Sequence, residues 1–174
     1  IFFMIIWLAS YPKSGNTYIR SFLSAYYFSK KGKFEFEQLL NILQFPGTKF
    51  STKDCFSFED AAKNWIYSQN QFFNKEKFVF LKTHNTLKSY NNTEFTTSNE
   101  TAGAIYIVRD PRNVITSLKN HYYFNNYDDA LKFLLDDRKV IGVKNSKKEM
   151  DLPHIISSWK NHFNSWKKMN KNFK

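Results

Sequence analysis

Three stretches of the chain are apolar at nearly every position and then end abruptly in polar residues. Residues 1–8, 78–81 and 105–108 are short, rich in Ile, Phe and Val, and show no polar alternation. Such runs read as strands buried on both faces, as in a parallel sheet. Elsewhere apolar residues recur every three or four positions. That spacing predicts a helix over residues 18–28, ending near Ser29-Lys30-Lys31-Gly32 with Gly32 just past its end. A short second helix is predicted through Phe36, Leu39, Leu40 and Leu43, stopped by Phe45-Pro46-Gly47. A third is capped by Ser57 and carries Ala61, Ala62, Trp65 and Ile66. Further helices are predicted from Pro111 through Val114, Ile115 and Leu118 to a close at His121 to Phe124, and over residues 128–138 with Ala130, Leu131, Leu134 and Leu135 inward. A last helix opens at Leu152-Pro153-His154 and carries Ile155, Ile156, Trp159, Phe163 and Trp166. The polar stretch 88–101 reads as a loop and a candidate substrate lid, and residues 139–151 as a charged loop.

The turn after the first strand carries the clearest chemistry. Ala9-Ser10-Tyr11-Pro12-Lys13-Ser14-Gly15-Asn16-Thr17-Tyr18 joins a buried strand to a helix N-terminus. A helix start has free backbone N–H groups and the positive end of the dipole, which suits an anion and above all a phosphate. Gly15 lets the backbone come close to such a ligand, Lys13 adds a mobile cation, and Ser14, Asn16 and Thr17 add side-chain donors. This is not the nucleotide-triphosphate loop, in which Lys and Ser/Thr directly follow a second glycine. Here Lys13 precedes the loop's one glycine, which disfavours a Mg²⁺-dependent triphosphate site.

The other two strands end in Lys82-Thr83-His84 and in Arg109. Ligands of open parallel sheets bind outside the C-terminal ends of the strands. A histidine there can act as a general base with only a small pKa shift. Arg109 offers bidentate recognition of phosphate, and Ser117, two turns into the next helix, can converge with it on one anion.

Composition narrows the class. The 174 residues suffice for one domain with a real core, and 42% hydrophobic with 19% aromatic residues marks a folded chain. The net charge of +11 fits nucleic acid, an anionic surface or an anionic small molecule. The joint abundance of Lys, Asn, Phe, Ile and Tyr is also what an AT-rich genome produces, so the bulk charge carries little weight. No basic stripe with interleaved aromatics points to nucleic acid. The single cysteine, Cys55, excludes an internal disulfide and a Cys-based zinc site. The longest apolar run is too short to cross a bilayer and has neither a basic leader nor a small-residue cleavage site, so the expected location is cytoplasmic.

In this order the three segments resemble the sulfotransferases that use 3′-phosphoadenosine 5′-phosphosulfate (PAPS). Tyr11-Pro12-Lys13-Ser14-Gly15-Asn16-Thr17-Tyr18 is similar to their 5′-phosphosulfate loop, Lys82-Thr83-His84 to their catalytic segment, and Arg109 with Ser117 to their 3′-phosphate pair. Ser158-Trp159, His162 and Trp166 resemble the family's Ser-Trp…His…Trp helix, the two tryptophans being read as packing residues. The likeness runs from about residue 4 to residue 166. It implies an α/β, three-layer P-loop-like fold with a central parallel sheet flanked by helices, and a single sulfotransferase domain over 1–174. It implies PAPS as co-substrate, no metal, and a small-molecule acceptor with a hydroxyl or amine. His84 would be the base, Lys13 would meet the leaving oxygen, and Lys82 the sulfuryl oxygens or the acceptor. Ser14, Gly15, Asn16 and Thr17 would hold the 5′-phosphate, Tyr18 would stack on adenine, and Arg109 and Ser117 would select the 3′-phosphate. Asn85 departs from the family, which continues with an apolar residue and a proline, and Asn113 replaces a common Asp. The family runs on into another strand and a Gly-rich basic loop, so the chain reads as C-terminally incomplete. The sequence leaves open a P-loop-like nucleotide kinase, a non-catalytic anion- or nucleic-acid-binding module, and an inactive remnant. The acceptor pocket is expected from residues 56–73 and 88–101, whose aromatics fit an apolar alcohol or phenol, with a sugar or lipid left open.

Overall fold

A computed structural model describes residues 4–47, 58–71, 78–142 and 152–169. Its centre is strand β1, Met4–Ser10, in which Ile5, Trp7, Leu8 and Ala9 are fully buried. β3, Phe78–Thr83, pairs parallel to one side of it and β4, Thr101–Ile107, parallel to the other. A two-residue strand β2, Leu43–Gln44, extends the sheet beyond β3, giving the order β2-β3-β1-β4 with every pairing parallel. The apolar run of β1 has no alternation because both of its faces are covered, as parallel sheets require. The fold is α/β with a central parallel sheet flanked by helices, as the sequence predicts.

Trp7 anchors the main core. Its ring meets Phe45, Phe95 and Trp166 at centroid distances of 5.6, 5.1 and 6.5 Å, and its Nε1–H donates to the Thr101 hydroxyl at 2.9 Å. Buried tryptophans need such a partner for the indole N–H. Trp65, Leu81, Ala62 and Met169 complete this cluster. A second cluster gathers Tyr11, Val114, Leu118, Ala130, Phe133, Leu134 and Ile156.

Helix α1, Asn16–Phe28, starts directly after Gly15 and ends where predicted. The second predicted helix is a 3-10 turn, Phe36–Asn41, with Phe36 and Leu40 exposed, and Leu43 lies in β2 instead. Its apolar spacing followed neither a buried face nor one element. The third is split at Asn64 into α2, Phe58–Lys63, and α3, Trp65–Asn70; its predicted cap Ser57 lies outside the described residues. The stretch 88–101 is tied down rather than lid-like. Phe95 is buried among the core rings, the Gln69 side chain donates to the Phe95 carbonyl at 2.6 Å, and the Thr96 hydroxyl donates back to Gln69 at 2.6 Å.

Helix α4, Pro111–His121, is capped by Asp110, whose carboxylate accepts from the Arg112 N–H. In α5, Tyr127–Leu135, Phe133 takes the inward position expected of Leu131, and Leu131 and Leu135 are exposed. Part of the predicted charged loop is strand β5, Val140–Ile141, antiparallel to β6, His154–Ile155; residues 143–151 lie outside the described set. The last helix, α6, Trp159–Lys167, therefore starts later than predicted, after its cap Ser158. The Ile156 and Ser157 N–H groups bond the Lys139 carbonyl instead of entering the helix.

Candidate active site

The C-terminal ends of β1, β3 and β4 open into one cleft of about 520 Å³, within the size range of small-ligand sites. The β1–α1 turn forms its floor. Lys13 and Gly15 both have positive φ, 67° and 98°, so the chain folds back through the left-handed region before entering α1. Gly15 tolerates this because it has no Cβ, and the space a Cβ would occupy is open. No side chain caps α1 at Gly15, which leaves its first N–H groups for other acceptors. The Ser14 hydroxyl is buried without a hydrogen-bond partner. Asn16 turns its amide inward, donating to the Leu8 carbonyl at 3.0 Å and the Ser10 hydroxyl at 3.1 Å. It holds the turn onto the strand, so its side chain is engaged in the loop's own architecture.

His84 stands at the end of β3. Its Nδ1 lies 2.8 Å from the Ser10 carbonyl. A carbonyl only accepts, so Nδ1 carries the proton of the neutral ring and Nε2 carries the lone pair. Burial, and then the Lys82 charge, holds the His84 pKa well below its ordinary value. The ring is therefore neutral near pH 7. Lys82, in β3 two residues before His84, donates its Nζ to the Gln44 side-chain oxygen at 2.6 Å. That fixes the Gln44 amide, whose Nε2 donates to His154 Nε2 at 3.2 Å. Gln44, Lys82, His84 and His154 thus form a continuous polar wall of the cleft.

The opposite wall comes from the end of β4 and from α4. Arg109 donates Nη1 to the Lys13 carbonyl at 3.0 Å, while the neighbouring Arg112 pairs with Asp110. Arg109 is thus aimed at the β1–α1 turn rather than at the adjacent carboxylate. Ser117, His121 and Tyr122 of the α4 region line the same cleft.

The cleft therefore brings together Lys13, Gly15, Asn16, Thr17, Lys82, His84, Arg109 and Ser117. Ser14, between Lys13 and Gly15, is buried, and Tyr18, 77% exposed, is not part of the lining. The described lining includes no residue of 58–71 or 88–101, the regions expected to form the acceptor pocket. Residues 5–174 match the sulfotransferase domain family. The chain belongs to that family. Among curated proteins none matches it.

For a sulfotransferase, the family's pattern leaves four polar side chains of the cleft unaccounted for, besides Ile141 and Gly142. Gln44 has no local signal, since a two-residue strand has no periodicity to read. His154 falls in β6 instead of a helix, His121 reads as a simple helix end, and Tyr122 as its neighbour. Asn85, the departure after Lys82-Thr83-His84, is fully buried and structural. Its Oδ1 accepts from the Ile155 N–H at 2.8 Å, and its carbonyl accepts from Trp166 Nε1 at 3.0 Å. It fastens β6 and α6 to the end of β3. His162 does the same for His84: its Nε2 donates to the His84 carbonyl at 3.1 Å, and its Nδ1 accepts from the Tyr106 hydroxyl at 2.8 Å. Among the described residues no group of three His, Cys, Asp or Glu side chains could hold a metal ion, and no helix is long and apolar enough to cross a membrane.

Proposed function

We propose that this sulfotransferase takes its sulfuryl group from PAPS and passes it to an acceptor hydroxyl or amine, with His84 as general base. The observation that carries the reading is the pinned His84 tautomer, which leaves the Nε2 lone pair in a cleft shared with the anion-binding turn. The donor set fits a nucleotide with phosphates at both ends. The uncapped start of α1, the unpartnered Ser14 hydroxyl and Lys13 suit the 5′-phosphosulfate. Arg109 and Ser117 suit a 3′-phosphate. Tyr18 is exposed and does not line this cleft, so its stacking on adenine rests on the family resemblance alone.

In the transfer, His84 Nε2 takes the proton from the acceptor as its oxygen or nitrogen bonds to sulfur. Lys13 stabilises the charge on the bridging oxygen as the S–O bond to the 5′-phosphate breaks. Lys82, steadied by Gln44, neutralises charge on the sulfuryl oxygens. Positioning and preorganised charge supply most of such an acceleration. Residues 1–174 read as one domain, since β1 and the turn after it supply Trp7 to one core cluster and Tyr11 to the other.

A thermal-shift titration with adenosine 3′,5′-bisphosphate, beside ATP with Mg²⁺, tests the donor. At about 100 times its dissociation constant a ligand adds roughly 2.7 kcal/mol. The expected result is a shift with the bisphosphate that Arg109→Ala abolishes. His84→Ala should keep that shift and lose transfer from PAPS. A response to ATP with Mg²⁺ alone would overturn the reading in favour of a nucleotide kinase, and an active His84→Ala enzyme would remove the proposed base.

A further inference from the structure

His121 closes α4, one helical turn after Ser117. Residues four apart lie one above the other on a helix face, and both line the cleft. Its ring is braced: Tyr122 meets it edge to face at 4.8 Å and packs in turn on Phe133 at 4.9 Å. Across the cleft the charge that reaches it is that of Lys13. Arg109 grips the same turn through the Lys13 carbonyl. Among the described residues the ion pairs are Arg112–Asp110 and Lys132–Asp129, so neither Lys13 nor Arg109 has a carboxylate partner. Two cations and an imidazole come together at one turn, and neither cation is paired with a carboxylate among the described residues.

We propose that His121 is a second ligand, beside Lys13, for the anionic 5′ end of the donor nucleotide, and that it takes up a proton as that anion arrives. The proposal rests on the reading of the cleft as a PAPS site. Without ligand, the partial burial of the ring and then Lys13 hold the imidazole below its ordinary pKa, which favours its neutral form beside Lys13. The other charged groups on the elements around it are Arg109 beyond β4, Lys119 on α4, and Asp128, Asp129 and Lys132 on α5; of the charges, that of Lys13 is the one that adds to the effect of burial. An anion seated on Lys13 reverses the sign of the local field, and the C-terminal end of α4 also favours a cation there. The buffer acid gives the proton to the free imidazole nitrogen, and the imidazolium then donates to the anion. Because the pKa is lower in the free protein than in the complex, affinity rises as pH falls between the two values. Each unit of difference contributes about tenfold.

The test is calorimetric titration of adenosine 3′,5′-bisphosphate near pH 6.5 in two non-phosphate buffers of different ionisation enthalpy, on wild type, His121→Asn and Arg109→Ala. The difference between buffers counts protons taken up. Wild type should take up more protons than His121→Asn, and its affinity should rise more steeply from pH 8 to pH 6. His121 is exposed, so its replacement should leave the ligand-free melting temperature unchanged. Equal proton uptake in wild type and His121→Asn, with tight binding in both, overturns this inference and leaves the PAPS reading standing. Absence of bisphosphate binding to wild type, or binding indifferent to Arg109→Ala, overturns the PAPS reading itself.

Discussion

Mild acid should destabilise this protein through its buried histidines. His154 is 2% exposed and His162 is fully buried. Burial, with a contribution from Lys82, pulls the His154 pKa down to about 3. Burial pulls His162 down to about 4, against the opposing pull of its hydrogen bond to the His84 carbonyl. His84 moves in the same direction. In the unfolded chain each sits near 6.5. Below that value the unfolded chain binds more protons than the folded one, so stability rises with pH and is lost as pH falls from about 6.5 toward 4 and 3. Between pH 7 and pH 5 each histidine with a strongly lowered pKa removes about 2 kcal/mol, and His154 with His162 together about 4 kcal/mol. Domains of this size have roughly 5–15 kcal/mol in all. Urea unfolding from pH 7.5 to 4.5 measures the loss as a falling midpoint. His162→Gln should lower the slope by about one proton, about 1.4 kcal/mol per pH unit, whatever it does to absolute stability. A midpoint flat from pH 7 to pH 5, or the same slope in His162→Gln, would refute the argument.

Two further substitutions separate loop architecture from chemistry. Asn16→Ala removes the donor that serves the Leu8 carbonyl and the Ser10 hydroxyl, and should cost about 1–3 kcal/mol in urea unfolding; a loss within error of zero would mean that the turn holds its shape without it. Gln44→Leu removes the 2.6 Å partner of the Lys82 ammonium and should lower the transfer rate with bisphosphate affinity unchanged, which calorimetry beside a turnover assay can separate. A parallel fall in both would move Gln44 to the nucleotide side.

The elements that carry the β1–α1 turn were legible because their signals are local. An unbroken apolar run, a turn with Lys13 and Gly15, and a helical repeat lie within thirty residues of the N-terminus, and no distant contact is needed to interpret them. The same holds for Lys82-Thr83-His84 and for Arg109, each at the end of a short apolar run. What failed depends on partners far away in sequence. Phe95 lies in a polar stretch and yet joins Trp7, Phe45 and Trp166 in the core. Leu43 and Gln44 carry helix-like spacing but pair with Leu81 and Lys82. His154 and Ile155 sit in an apolar repeat of helical period, yet β5 claims their backbone. In each case a tertiary partner offered more than the local pattern did.

Asn85 shows how one departure from a family's pattern can reshape the site next to it. A proline at the following position would have no N–H, and an apolar side chain at 85 could not accept from the Ile155 backbone. With Asn85 and Thr86 in place, the Thr86 N–H donates to the Ile155 carbonyl at 2.7 Å and the Ile155 N–H donates to Asn85 Oδ1 at 2.8 Å. The pair of bonds draws β6 against the end of β3. His154 precedes Ile155, so the same bonds bring its imidazole within 3.2 Å of Gln44 and, through Gln44, tie it to Lys82. The residue that interrupts the expected motif is thus the one that joins the polar wall to His84. His84 is then held at two points, its ring Nδ1 by the Ser10 carbonyl and its own carbonyl by the His162 side chain. If His84 is the base proposed above, it stands fixed at two points in a cleft lined by Lys13, Lys82 and Arg109, preorganised for proton transfer before any ligand enters.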